Sequence, residues 1–321
     1  MPRWLLGRLL QAVLTLLVVF ATVFVLMRLA PGDPLARLSD DTPVSAAETA
    51  ALRARYGLDQ PLPTQLAAFA TGLLHGDLGV SIQFGRPVVS LVRERLGATL
   101  LLGITVLVVN FTLGLWLGVR QALARGRPFD RVLGAAGAVS VALPSFWVGL
   151  ALVWGFGLHA PFLPVAGLRD PMLDTASLAV QWVDLLRHLV LPALTLSLVT
   201  IGATMRYQRA AMLDALVQPF VRTASARGLT PGAVTHHAWR AALVPVLTLL
   251  GLWLPLLVTG SVFVEAVFAW PGLGGLAAQA AALRDYPLMM GCTMLAGTIV
   301  VLGSLAADIA CAIADPRLRT A

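Results

Sequence analysis

The sequence predicts an all-α integral membrane protein with six transmembrane helices. Three observations carry this. Only 12% of the 321 residues are charged and 58% are hydrophobic, with mean hydropathy +0.83, whereas soluble domains carry about 25% charged residues. Six uncharged stretches approach or exceed the length of about 20 apolar residues that crosses a bilayer. Arginine is distributed unevenly between the connecting segments, which sets orientation.

The first stretch, residues 9–27, follows Arg3 and Arg8 and has 19 residues. A basic start also suits a secretory leader. This stretch exceeds the usual apolar region of about 7–15 residues, and no small-residue cleavage pattern follows, so it reads as a retained helix. Residues 31–92 form a long external segment that reads as ordered. Leu62, Leu66, Phe69 and Leu73 recur at helical spacing, and Gly72, Gly76, Gly79 and Gly85 then break the chain. Residues 88–96 read as a short amphipathic helix entering the second span, residues 96–119. The third stretch, 132–168, has 37 residues, too many for one helix, and contains Pro161 and Pro164. It reads as a helix to about Leu158 followed by an external loop. The remaining stretches are 189–205, 241–264 and 286–307. The chain thus divides into 1–92, a first helix with its external segment; 93–314, a five-helix core with a loop at about 206–240; and the tail 315–321.

With the N-terminus in the cytoplasm, 13 arginines fall in cytoplasmic segments. Three, Arg169, Arg187 and Arg284, fall in the two short external loops. Six spans return the C-terminus to the cytoplasm.

Composition also excludes chemistry. All 23 basic residues are Arg. A phosphate-binding P-loop, a kinase-type site and Schiff-base catalysis each require Lys. The net charge of +7 belongs to loop topology rather than to a nucleic-acid-binding face. Cys292 and Cys311 lie in apolar helical text and read as small buried side chains. His236 and His237 are adjacent, so they face different sides of a helix. No metal site and no cofactor are expected.

The loop between the fourth and fifth stretches is the most informative part of the chain. Gln218 precedes Pro219 and is biased out of the helical region, so a helix ends there. Pro219 suits the first position of a new helix, and Gly228 suits the left-handed residue that stops one. Thr230 and Pro231 repeat the start signal. A rigid helix of about nine residues, some 13 Å long, is therefore predicted between two stops. Thr223, Ala224 and Ala226 permit close approach, and Arg222 and Arg227 offer charge-assisted bonds to a partner. The other reading is a solvated basic loop that only obeys the topology rule.

At these residues the sequence resembles a known family. Arg222, Thr223, Ala224 and Gly228, followed by His237-Ala238-Trp239-Arg240 and Ala242-Leu243-Val244-Pro245, resemble the cytoplasmic EAA loop of ABC-importer permeases, in the form of the dipeptide/oligopeptide/nickel branch. Ala30-Pro31-Gly32-Asp33-Pro34, Tyr56-Gly57-Leu58-Asp59-Gln60-Pro61 and Leu143-Pro144-Ser145-Phe146-Trp147 are similar to that branch too, as are residues 76–81, 187–195, 265–274 and 315–319. The resemblance implies a type I ABC importer permease fold in the bacterial inner membrane, without enzymatic activity of its own. Its implied partners are a second, related permease subunit, two cytoplasmic ATPase subunits and an external substrate-binding protein. The implied cargo is short peptides, with nickel and opines as alternatives. Arg222, Thr223, Ala224, Ala226, Arg227 and Gly228 would then couple to the ATPase.

Polar residues inside spans are functional candidates. Asn110 and Thr204 are candidates for the substrate pathway, against the alternative of interhelical hydrogen bonds. Glu265, Trp270 and Asp285 flank the last external loop. They are candidates for an outer gate or a binding-protein contact, against the alternative of an interfacial Trp and two solvated acids. An ion-coupled secondary transporter would favour carboxylates at span centres, and an intramembrane enzyme would need a metal pair or a nucleophile turn. Neither pattern is present in the sequence.

Overall fold

The computed structural model describes residues 2–29, 35, 46–160 and 162–314. The motif at 30–34, Pro161 and the tail 315–321 with its motif at 315–319 lie outside these residues. The elements are helical throughout: α1 (Pro2–Leu29), α2 (Ala46–Arg55), α3 (Leu62–Leu74), α4 (Val88–Val109), α5 (Leu115–Leu123), α6 (Pro128–Ala142), α7 (Ser145–Leu152), α8 (Leu178–Leu216), α9 (Pro219–Ala226), α10 (Pro231–Val267), α11 (Leu273–Leu283) and α12 (Tyr286–Ala314). A π turn, Asn110–Gly114, joins α4 to α5, and a second, Val153–His159, extends α7.

Among the described residues, four helical segments are long and apolar enough to cross a membrane: Leu6–Met27, Val88–Leu123, Leu178–Leu216 and Tyr286–Ile313. The pair α6–α7 makes a fifth if taken as one span. α8 is the central element and packs against α4, α5, α6, α7 and α10. α1 is peripheral, mainly lying along α12.

Three expectations change. The single helix expected over 132–158 is instead α6 and α7, bent by 103°. Pro144 disfavours the helical region for the residue before it, and Leu143 and Pro144 both adopt extended ψ values of 132° and 134°. Residues 88–96 are not a separate helix, since α4 runs unbroken from Val88. The fourth span begins at Leu178, and Pro192 lies inside it.

The segment expected to be external is ordered where it is described. Leu66, Phe69 and Leu73 of α3 pack on Phe20, Phe24 and Met27 of α1 and on Met290 and Met294 of α12. The Phe20 and Phe69 rings stack at 5.7 Å. Leu62, at the start of the same periodic stripe, is exposed. Gly76, Gly79 and Gly85 have positive φ, as expected of chain breaks, while Gly72 stays inside α3.

Glycine lets the helices around α8 approach closely. A Cβ on Gly118 of α5 would lie 2.6 Å from the Met205 carbonyl oxygen, and one on Gly202 of α8 would lie 2.4 Å from the Gly137 carbonyl oxygen of α6. Gly202→Val is therefore expected to overpack the α6–α8 contact and to cost about 1–3 kcal/mol. A lowered midpoint of heat-induced aggregation in detergent would report the loss.

Candidate functional site

The end of the bundle where α8 gives way to α10 carries a projecting helix. Gln218 is extended (φ −67°, ψ 149°) because proline follows it, and Pro219 opens α9, which has eight residues. α9 stops as the sequence predicts. Gly228 takes φ +77°. Its N–H donates to the Ser225 carbonyl at 3.0 Å, and the Leu229 N–H donates to the Ala224 carbonyl at 3.3 Å. These two bonds form a Schellman motif, which satisfies carbonyls that a helix end leaves unpaired. The Thr230 side chain then accepts the Ala233 N–H at 3.4 Å and caps α10.

Val221 is the one buried side chain of α9. It packs with Ala122 of α5, Met212 and Ala215 of α8, and Ala238 and Ala242 of α10. Burying a valine contributes about 1.5–3 kcal/mol, enough to seat a short helix already fixed at both ends. Arg222, Thr223, Ala226, Arg227 and Gly228 face outward, and Ala224 is half-buried. The result is a stiff, positively charged prong held by a single apolar contact. His236 and His237, on the following helix, are both exposed. Among the described residues no cluster of His, Cys, Asp and Glu is arranged to hold a metal ion.

Asn110 and Thr204 are sealed inside the chain, 3% and 0% exposed. They belong to a ladder between the α4–α5 helix and α8. The Asn110 Nδ2 donates to Thr200 Oγ1 at 2.8 Å and to the Val106 carbonyl at 3.0 Å. Gly114 faces Thr204, and Gly118 faces Gln208. Steps of four on one helix thus meet steps of four on the other. Asn110 makes the interhelical bond that was the alternative to a pathway role, and neither side chain lies on a surface that a solute could reach in this conformation. The sequence signal for the ladder is Gly114 and Gly118 at small-xxx-small spacing, which the reading of polar residues alone passed over.

Glu265, Trp270 and Asp285 are brought to the opposite end, but inward. They are 1%, 2% and 0% exposed. The Glu265 carboxylate accepts from Thr99 Oγ1 at 3.1 Å and from the Gly275 N–H at 2.7 Å. Thr99 Oγ1 in turn accepts the Leu273 N–H at 2.7 Å. The Trp270 Nε1–H donates to the Ala98 carbonyl at 3.0 Å. Asp285 accepts from the Ser81 hydroxyl, from the Gln83 N–H at 3.0 Å and from the Leu288 N–H at 3.2 Å. This burial corrects the alternative of two solvated acids. These groups brace α11 and the 77–87 segment against α4, α10 and α12. Their partners lie far away in the chain, so sequence could place the residues at a loop but not turn them inward.

Comparison with known proteins follows the same outline. The family described as "Binding-protein-dependent transport system inner membrane component" matches residues 110–320. The family "Binding-prot-dependent transport system membrane comp, N-term" matches residues 1–103. A protein of Brucella suis biovar 1 (strain 1330), provisionally named a peptide permease, is 38% identical over 99% of both chains. The oligopeptide transport system permease protein AppB of Bacillus subtilis (strain 168) is 35% identical over 99% of this chain and 100% of its own. The dipeptide transport system permease protein DppB of Escherichia coli (strain K12) is 31% identical over 99% of both.

Removing the Asp285 carboxylate leaves two buried donors, the Ser81 hydroxyl and the Leu288 N–H, and the half-buried Gln83 N–H without their acceptor, each buried one costing about 1–3 kcal/mol. Asp285→Ala is expected to lower thermal stability sharply. Thr204→Val, which removes a hydroxyl that has no partner, is expected to be neutral or stabilising. Both are measured by unfolding of the purified protein in detergent.

Proposed function

The chain belongs to the family of binding-protein-dependent transport system inner membrane components, and on that premise we propose that it is the permease subunit of an ATP-driven importer of short peptides. As a family member it is a multi-pass protein of the bacterial inner membrane. In this reading α10, a 37-residue apolar helix, joins the five other spans to give six, and both termini lie in the cytoplasm. Two features support that orientation. Outside the segment from Arg28 to Arg95, which is long enough to be exempt from the topology rule, 13 arginines fall on one side and three on the other. Arg8 of α1 also pairs with Asp308 of α12 at 3.3 Å, which places the start of the first helix beside the end of the last, at the α9 end of the bundle.

The observation that carries the proposal is α9 itself. A helix begun by Pro219 and stopped at Gly228, with only Val221 buried and with Arg222, Thr223, Ala226 and Arg227 facing outward, is shaped to enter a groove on another protein. The partner is one of two cytoplasmic ATPase subunits. Nucleotide-driven closure of those subunits displaces α9, and the permease rocks between inward and outward access as packed bodies do. A second, related permease completes the pathway, and an external binding protein delivers cargo. In this reading residues 93–314 form the core that carries the transmission, and residues 1–92 supply the first membrane helix and an external segment. Peptide as cargo rests on the names of the similar proteins, and the transport reaction itself requires no catalytic group in this chain.

The test begins with the assembled complex. A strain lacking the chain is expected to lose uptake of labelled di- and oligopeptides, and loss of nickel uptake alone would redirect the substrate. Affinity purification through the chain is expected to bring down an ATPase. Gly228→Val should strain a left-handed position by about 1–2 kcal/mol and abolish uptake. A Cβ at Gly228 meets no atom within 4 Å, so the defect arises from the backbone and not from a clash. Normal uptake by that variant would remove α9 from the mechanism.

A further inference from the structure

Beside the α9 seat lies a half-buried ion pair. α5 ends at Leu123 and α6 begins at Pro128. The turn between them passes through Gly126 at φ +79°, where a Cβ would meet only open space. Such a turn is pliant by itself, and α5 and α6 pack more on α8 than on each other. Asp130, in the first turn of α6, is 7% exposed. Arg209 of α8 grips both its oxygens, Nε to Oδ1 at 2.8 Å and Nη2 to Oδ2 at 2.9 Å. The Gly126 N–H donates to Oδ2 at 2.9 Å, and Gln121 Nε2 of α5 donates to the Asp130 carbonyl at 3.0 Å. One residue therefore ties α5, the turn, α6 and α8 together.

The same elements seat α9. Arg209 lies two turns before the end of α8, and Ala122, next to Gln121, touches the cluster around Val221. A buried ion pair is weak evidence of stability, since apolar side chains would pack as well. A bidentate Arg–carboxylate fork adds a fixed direction.

We propose that Asp130 and Arg209 are positioning residues of the transport cycle. They make α5, α6 and the stem of α8 move as one body with α9, so that displacement of α9 reaches α5 and α6 and is not absorbed at the Gly126 turn. The inference rests on the reading of α9 as the ATPase contact.

The experiment uses the whole complex, both permeases with the ATPases and the binding protein, in proteoliposomes. It measures ATP hydrolysed per labelled peptide transported. Asp130→Asn keeps the side chain's shape and loses its charge, and Arg209→Lys cannot span both oxygens. Both are expected to assemble and to move at least tenfold fewer peptides per ATP, and the exchanged pair Asp130→Arg with Arg209→Asp is expected to recover part of the ratio. An unchanged ratio in either single variant overturns the proposal. If the single variants fail to assemble, spin labels at the exposed positions Leu123 and Val217, in a chain otherwise unaltered, decide the matter. A separation that stays constant between the nucleotide-free and ATP-trapped states supports one moving body, and a changed separation overturns it. An unaltered complex that neither hydrolyses ATP nor moves peptide refutes the functional reading instead, so the two failures are distinguishable.

Discussion

Lipid gives helices no hydrophobic reason to associate, so a membrane bundle depends on how closely backbones can approach one another. In this chain that dependence converges on α8. Gly118 on one flank and Gly137 on the other leave no room for a Cβ against it, and Gly202 makes the same concession from α8 itself. Close approach then puts short polar side chains within reach of each other, which is why Asn110 can bond Thr200 across the interface. The ladder and the glycines form one device. The glycines set the separation, and the Asn110–Thr200 bond fixes the register that the separation permits.

The two ends of the bundle are built differently. One end is braced by buried carboxylates whose donors come from α4, α11 and the 77–87 segment, with Gly272 and Gly274 crowding Glu265 so closely that a side chain there would overlap it. Such a construction resists deformation, because each acid satisfies several donors at once. The α9 end relies on one apolar side chain, two helix stops and a single bidentate ion pair.

Much of this was legible in the sequence because it is local. The stops around α9 follow from Gln218-Pro219, Gly228 and Thr230-Pro231, each acting through its own backbone. The apolar runs follow from length alone, and the stripe of Leu66, Phe69 and Leu73 from helical period. The break at Leu143-Pro144 is local too, but it lies in text as apolar as any span. What escaped otherwise is tertiary. Glu265 and Asp285 looked like loop acids because Thr99 and Ser81, their partners, stand 166 and 204 residues away. Asn110 and Thr204 were picked for polarity, while the glycines that seal them in carry no side chain to attract notice.

The stops that shape α9 are made of backbone bonds, and Val221 alone holds it to the rest of the chain. Arg222, Thr223, Ser225, Ala226 and Arg227 carry no tertiary duty. In the proposed reading a lineage can rewrite those outward letters, and with them the ATPase they would fit, while the rod keeps its length, its angle and its seat. Recognition of the proposed partner is thereby separated from the architecture of the bundle.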